Sequence, residues 1–148
     1  MENKLIFAFS KDKTDGDSSL NTLLGGKGAN LAEMSKMGIP VPPGFTITTE
    51  VCNFFTENKK LPDDLDNEIK ESIKKLERFS GKSFGNTGTP LLLSVRSGGR
   101  VSMPGMMDSI LNIGLNDGNI SQLTEAFNDE RFALDSYRRL IQMYSNVV

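Results

Sequence analysis

The 148-residue sequence contains one cysteine, no histidine and no long apolar run, and neither sign of charge prevails. A single thiol, Cys52, excludes an internal disulfide and fits a reducing compartment. Flanked by apolar and aromatic residues, Cys52 reads as a packed helix residue rather than a nucleophile. The apolar stretch Leu5-Ile-Phe-Ala-Phe9 is too short for a signal core or a membrane-spanning helix and reads as a strand. Lysine and arginine total 17 against 19 aspartates and glutamates, for a net charge of -2. That balance gives no global attraction to nucleic acid or to an anionic membrane. Asp12, Asp15 and Asp17 lack the spacing and the terminal glutamate of an EF-hand, so residues 10–19 are expected to form a solvated turn. No repeat or heptad array is visible.

What the sequence does contain is a distinctive loop. The run Arg96-Ser-Gly-Gly-Arg-Val-Ser-Met-Pro-Gly-Met-Met-Asp108 follows Leu91 to Val95, which reads as a buried strand. A guanidinium is a fixed fork that matches phosphate oxygens bidentately, and glycines let backbone N–H groups approach an anion that a Cβ would push away. Pro104-Gly105 adds a turn. Met103, Met106 and Met107 give the loop a soft apolar surface. The pattern suits a polyphosphate, but arginine before Gly-Gly also describes an ordinary surface turn.

A second segment, Leu23-Leu-Gly-Gly-Lys-Gly-Ala-Asn-Leu-Ala-Glu-Met-Ser-Lys-Met-Gly38, begins in a glycine turn that carries Lys27 and runs into a helix. Leu31, Met34 and Met37 would form its apolar face, with Gly38 as the stop. A helix start preceded by glycines offers unpaired N–H groups and the positive end of the helix dipole to an anion. This is not a Walker A loop: Asn21 stands where that motif needs its first glycine, and Gly28 where it needs a hydroxyl residue.

The other elements follow from pattern and punctuation. Phe45 to Thr48 reads as a strand introduced by Pro42-Pro43-Gly44, and Thr49 as the cap of a helix containing Val51, Phe54 and Phe55. Leu61-Pro-Asp-Asp64 opens a helix with Leu65, Ile69, Ile73, Leu76 and Phe79 on one face, ending at Gly81. Ser109 to Ile113 reads as another strand, and the chain is helical from Ile120, with an apolar stripe of Phe132, Tyr137, Leu140, Ile141 and Tyr144. The stop at Val147-Val148 without a cap reads as a cut. The fold class expected is mixed α/β: short strands, packed helices and a helical C-terminal part.

Three blocks carry a resemblance. Gly25-Gly-Lys-Gly-Ala-Asn-Leu-Ala-Glu-Met34 is the first, and Gly38-Ile-Pro-Val-Pro-Pro-Gly-Phe-Thr-Ile-Thr-Thr49 the second. The third is Ser94-Val-Arg-Ser-Gly with Ser102-Met-Pro-Gly-Met-Met-Asp108 and Leu111-Asn-Ile-Gly-Leu-Asn-Asp117. In order and spacing they resemble the N-terminus of the pyruvate phosphate dikinases, over nearly all of residues 4–148. The first two also resemble phosphoenolpyruvate synthases, which are expected to have an acidic, Ala-rich stretch after the arginine instead of Ser-Met-Pro-Gly-Met-Met-Asp. One departure is Gly99-Arg100, where the dikinases commonly have Gly-Ala.

The resemblance implies a partial ATP-grasp lobe, with residues 1–118 as part of the nucleotide-binding lobe and 119–148 as the start of a helical subdomain. It assigns Lys27 and Arg96 to the phosphates of ATP, and Gly105 and Met107 to a flexible loop over the polyphosphate. It assigns no acid or base and no metal ligand to this chain. The whole enzyme would interconvert ATP, phosphate and pyruvate with AMP, diphosphate and phosphoenolpyruvate, using Mg2+ and a phosphohistidine. With no histidine present, that carrier must lie in another domain of the full-length chain, and this chain alone is expected to be inactive. The resemblance further implies a homo-oligomeric enzyme of the cytoplasm, or of a plastid or peroxisome-like organelle in a eukaryote. Two other readings are a phosphoenolpyruvate synthase-like dikinase and a non-catalytic interaction module docking through its Met-rich loop.

Overall fold

The computed structural model describes residues 4–85, 88–98 and 109–148. These form two compact units, residues 4–76 with Gly98 and residues 77–97 with 109–148. The elements are α and β in the mixture expected.

In the first unit β1 (Ile6–Phe9) and β2 (Gly44–Ile47) pair antiparallel, Ile6 opposite Ile47 and Phe9 opposite Gly44. Strand alternation sends successive side chains to opposite faces. Ile6 and Phe45 therefore join Val51 of α2 (Thr49–Asn58) and Leu65 and Ile69 of α3 (Leu65–Ser80) in one cluster. Thr46 points the other way, against α1 (Asn21–Lys36). Phe9 is buried over Gly44, where a Cβ would stand 2.5 Å from the ring.

Residues 10–19 are fastened rather than simply solvated. Asp15 Oδ2 accepts from the Ala8 N–H at 3.2 Å and from Lys4 Nζ at 2.8 Å. Asp17 caps a short 3-10 turn, Ser18–Leu20, by accepting from the Ser19 N–H. The Thr14 hydroxyl donates to Ser35 Oγ at 2.9 Å, and Ser35 donates to the Ser10 carbonyl at 3.0 Å, tying the turn to α1.

The helix that follows β2 differs from expectation in two details. Thr48, not Thr49, occupies the cap position; its hydroxyl is buried and makes no hydrogen bond among the described residues. Thr49 is already helical, and its hydroxyl donates to the Thr22 carbonyl at 2.8 Å. Cys52 lies on α2 but is exposed, because Val51 is the residue that this helix buries.

In the second unit β3 (Leu93–Arg96) and β4 (Ser109–Ile113) pair antiparallel, with a register irregularity between Leu93 and Val95. Two helices, α4 (Ile120–Phe127) and α5 (Glu130–Val147), are joined at Asn128, which adopts left-handed backbone, and Asp129, which caps α5 by accepting from the Phe132 N–H at 2.9 Å. The core is Leu115, Leu123 and Ala133 with Leu92, Ile120, Tyr137 and Leu140 around them. The expected apolar stripe of α5 is thus divided: Tyr137 and Leu140 pack inward, whereas Phe132, Ile141 and Tyr144 are exposed. The expected strand before Arg96 begins two residues later, and of its apolar residues Leu91 is buried while Val95 is exposed.

Candidate functional site

Lys27 owes its place to a break in α1. Gly25 has φ 68 and ψ 163, outside the helical region, so the helix that begins at Asn21 is interrupted and starts again after it. Positive φ is strained for residues with a Cβ and is readily adopted by glycine. The restart gives Lys27 a first-turn position, at the positive end of the helix dipole. Lys27 is exposed there. The expected glycine turn is therefore a one-residue break inside a helix.

The buried face of this helix is also not the one its apolar periodicity predicts. Gly28, Ala29, Ala32 and Ser35 are buried, while Met34 and Met37 are exposed and Leu31 is half-buried. Small residues let the helix backbone approach the strands, which large side chains would prevent. The helix then stops as expected: the Gly38 N–H donates to the Ser35 carbonyl and the Ile39 N–H to the Met34 carbonyl, with Gly38 at φ 79. This is a Schellman ending.

Arg96 is the last residue of β3, exposed and opposite Ser109 of β4. Lys27 and Arg96 belong to different units. Gly105 and Met107, with the rest of residues 99–108, lie outside the described residues. The run Leu111 to Asp117 has a clear structural role. Asn112 adopts φ 61, and its amide donates to the Ser136 carbonyl at 3.0 Å. Asn119 is completely buried; its amide donates to the Gly114 carbonyl at 2.8 Å and its oxygen accepts from the Asn116 N–H at 2.9 Å. The Tyr137 hydroxyl donates to Asp117 at 2.8 Å. That bond, then burial and the carboxylate's charge, raise the Tyr137 pKa. Sequence reading found Leu111 to Ile113 as the end of a strand and the rest, to Asp117, only as part of a resemblance; its asparagines and glycine are the signal of a polar, tightly turned connection.

The model of the pyruvate phosphate dikinase AMP/ATP-binding domain matches residues 21–83 and 56–143. The chain belongs to the pyruvate phosphate dikinase family. It is 53% identical over 146 residues to the pyruvate, phosphate dikinase of Rickettsia felis, a match covering 98% of this chain and 17% of that one. The dikinase of Clostridium symbiosum is 53% identical over 135 residues, 90% of this chain and 15% of its own. The chloroplastic dikinase of Mesembryanthemum crystallinum is 51% identical over 146 residues, covering 98% of this chain and 15% of its own. The chain thus spans about 17% of the length of the first of these dikinases. Lys27 and Arg96 both fall within the matched residues. Among the described residues no group of three or more Cys, Asp or Glu side chains is placed to hold a metal ion, and no helix is long and apolar enough to cross a membrane.

Proposed function

We propose that this chain supplies the phosphate-contacting side of the ATP site in a dikinase that interconverts ATP, phosphate and pyruvate with AMP, diphosphate and phosphoenolpyruvate. Residues 1–118 are part of the nucleotide-binding lobe, and 119–148 begin a helical subdomain. The observation that carries this reading is the placement of Lys27 at the restart of a broken helix, within a match to the family's AMP/ATP-binding domain. A cation at a helix start, where the dipole is positive, stabilises phosphate oxygens as charge moves onto them. By its match to the family's motif, Arg96 contacts phosphate through its fork, and Gly105 and Met107 match the family's flexible loop over the polyphosphate. Phosphoryl transfer of this kind depends on positioning and charge neutralisation, so no acid or base on this chain is required. The phosphoryl group passes to a histidine in another domain of a homo-oligomeric, cytoplasmic or plastid enzyme that uses Mg2+.

Lys27→Ala and Arg96→Ala in a full-length dikinase bearing this segment test the reading. Each side chain makes charge-assisted bonds worth about 1.5 to 3 kcal/mol, so each variant is expected to slow the ATP half-reaction about 10- to 100-fold. Exchange between pyruvate and phosphoenolpyruvate should be spared, and circular dichroism unchanged, because both side chains are exposed. Loss of both half-reactions together, or unfolding, would make the two residues structural and favour an interaction module instead.

A further inference from the structure

We infer that Gly28 and Thr46 are a positioning pair that sets the height of Lys27 above the β1–β2 ribbon; this deepens the phosphate reading of Lys27 and rests on it. Gly28 lies inside the second stretch of α1, at a position where glycine has no conformational use. Its backbone is helical rather than left-handed, unlike that of Gly25. In such a position glycine costs about 1 kcal/mol relative to alanine, so helix propensity by itself favours alanine.

Packing reverses that preference. A Cβ on Gly28 would stand 2.6 Å from Thr46 Cγ2 and 2.8 Å from Thr46 Oγ1, with Leu24 Cβ next at 3.3 Å. Thr46 cannot retreat freely. It sits in the middle of β2, paired with Phe7 of β1, and its branched side chain has few rotamers. The added methyl must therefore lift the helix from the strand or twist it about its axis. Gly26, two residues earlier, meets nothing within 4 Å. The crowding is thus specific to the side of the helix that faces Thr46.

Lys27 is the residue immediately before Gly28 and shares its turn. A displacement of the backbone at Gly28 carries the Lys27 Cα and the first-turn N–H groups with it. Misplacement by about 1 Å is enough to cost 100-fold in a site that works by positioning. Gly28 and Thr46 touch no phosphate in this scheme; they act through Lys27.

The experiment is a double-mutant cycle in the full-length dikinase bearing this segment, read as kcat/KM for ATP and as the pyruvate–phosphoenolpyruvate exchange rate. Gly28→Ala should lower kcat/KM for ATP about 10-fold or more and leave the exchange unchanged. Thr46→Ala, which removes both atoms that meet the new methyl, should restore most of the loss in the double variant. In a Lys27→Ala background Gly28→Ala should cost almost nothing further, since residues that act through one another are not additive. The inference is overturned if Gly28→Ala is silent while Lys27→Ala is damaging, if the two losses add in full, or if Thr46→Ala gives no rescue. Wild-type ATP kinetics for Lys27→Ala would instead overturn the phosphate reading itself. In that event a lower melting temperature for Gly28→Ala, restored by Thr46→Ala, would still register the packing, so the two failures can be told apart.

Discussion

Single side chains in this protein do work that their type alone does not announce. Asp17 is one of a group of aspartates that reads as solvated turn, yet its carboxyl is lowered to about 2, first by the Ser19 hydroxyl and then by Lys36 and the Ser19 N–H. Asp15 is also lowered; burial, the largest influence, opposes this but is outweighed by Lys4, the Ala8 N–H and Lys13 together. A carboxyl that is more acidic in the folded than in the unfolded chain stabilises the fold above its ordinary value of 3.8. That contribution is lost as pH falls through the folded value. Asp17→Asn should therefore flatten the acid limb of stability between about pH 4 and pH 2, followed by circular dichroism across a pH series. An acid limb identical to that of the parent protein would show that Asp17 is not held in solution as it is here.

Secondary structure was legible where the signal is local, and misread where a partner decides it. The start of α3, the stop at Gly38 and the strands β2 and β4 follow from capping, glycine punctuation and alternation. The buried face of α1 does not, because apolar periodicity names large residues whereas close approach to a strand selects Gly28, Ala29 and Ala32. The stripe on α5 shows the same limit: all five residues are apolar or aromatic, but the core of the second unit takes only Tyr137 and Leu140 of them. Between β4 and α4 the decisive residue is polar. Asn119 is fully buried and spends both ends of its amide on backbone. Asn119→Ala would leave the Asn116 N–H and the Gly114 carbonyl without these partners, at a cost of about 2 to 3 kcal/mol. A urea titration should show the midpoint falling accordingly with little change in slope. An unshifted midpoint would mean that water replaces both bonds.

At the scale of the whole molecule, the two units have small cores of different composition, one around Ile6, Val51 and Leu65 and the other around Leu115, Leu123 and Ala133. The sequence holds no histidine, so a phosphohistidine relay has no carrier within these 148 residues. The chain alone is expected to form no AMP from ATP, phosphate and pyruvate, and a coupled assay at high protein concentration checks it. Turnover dependent on pyruvate and phosphate would overturn both the expectation and the proposed relay. Sequence by itself determined the mixed α/β class and the family, because these reside in residue identity and in spacing along the chain; the phosphate roles of Lys27 and Arg96 are proposals that rest on the same resemblance. Only the tertiary structure decided that Lys27 follows a break at Gly25, that small residues form the buried face of its helix, and that Gly28 fits against Thr46. Those facts depend on which surfaces meet and how closely, and the distance between a helix and a strand is set by both partners at once.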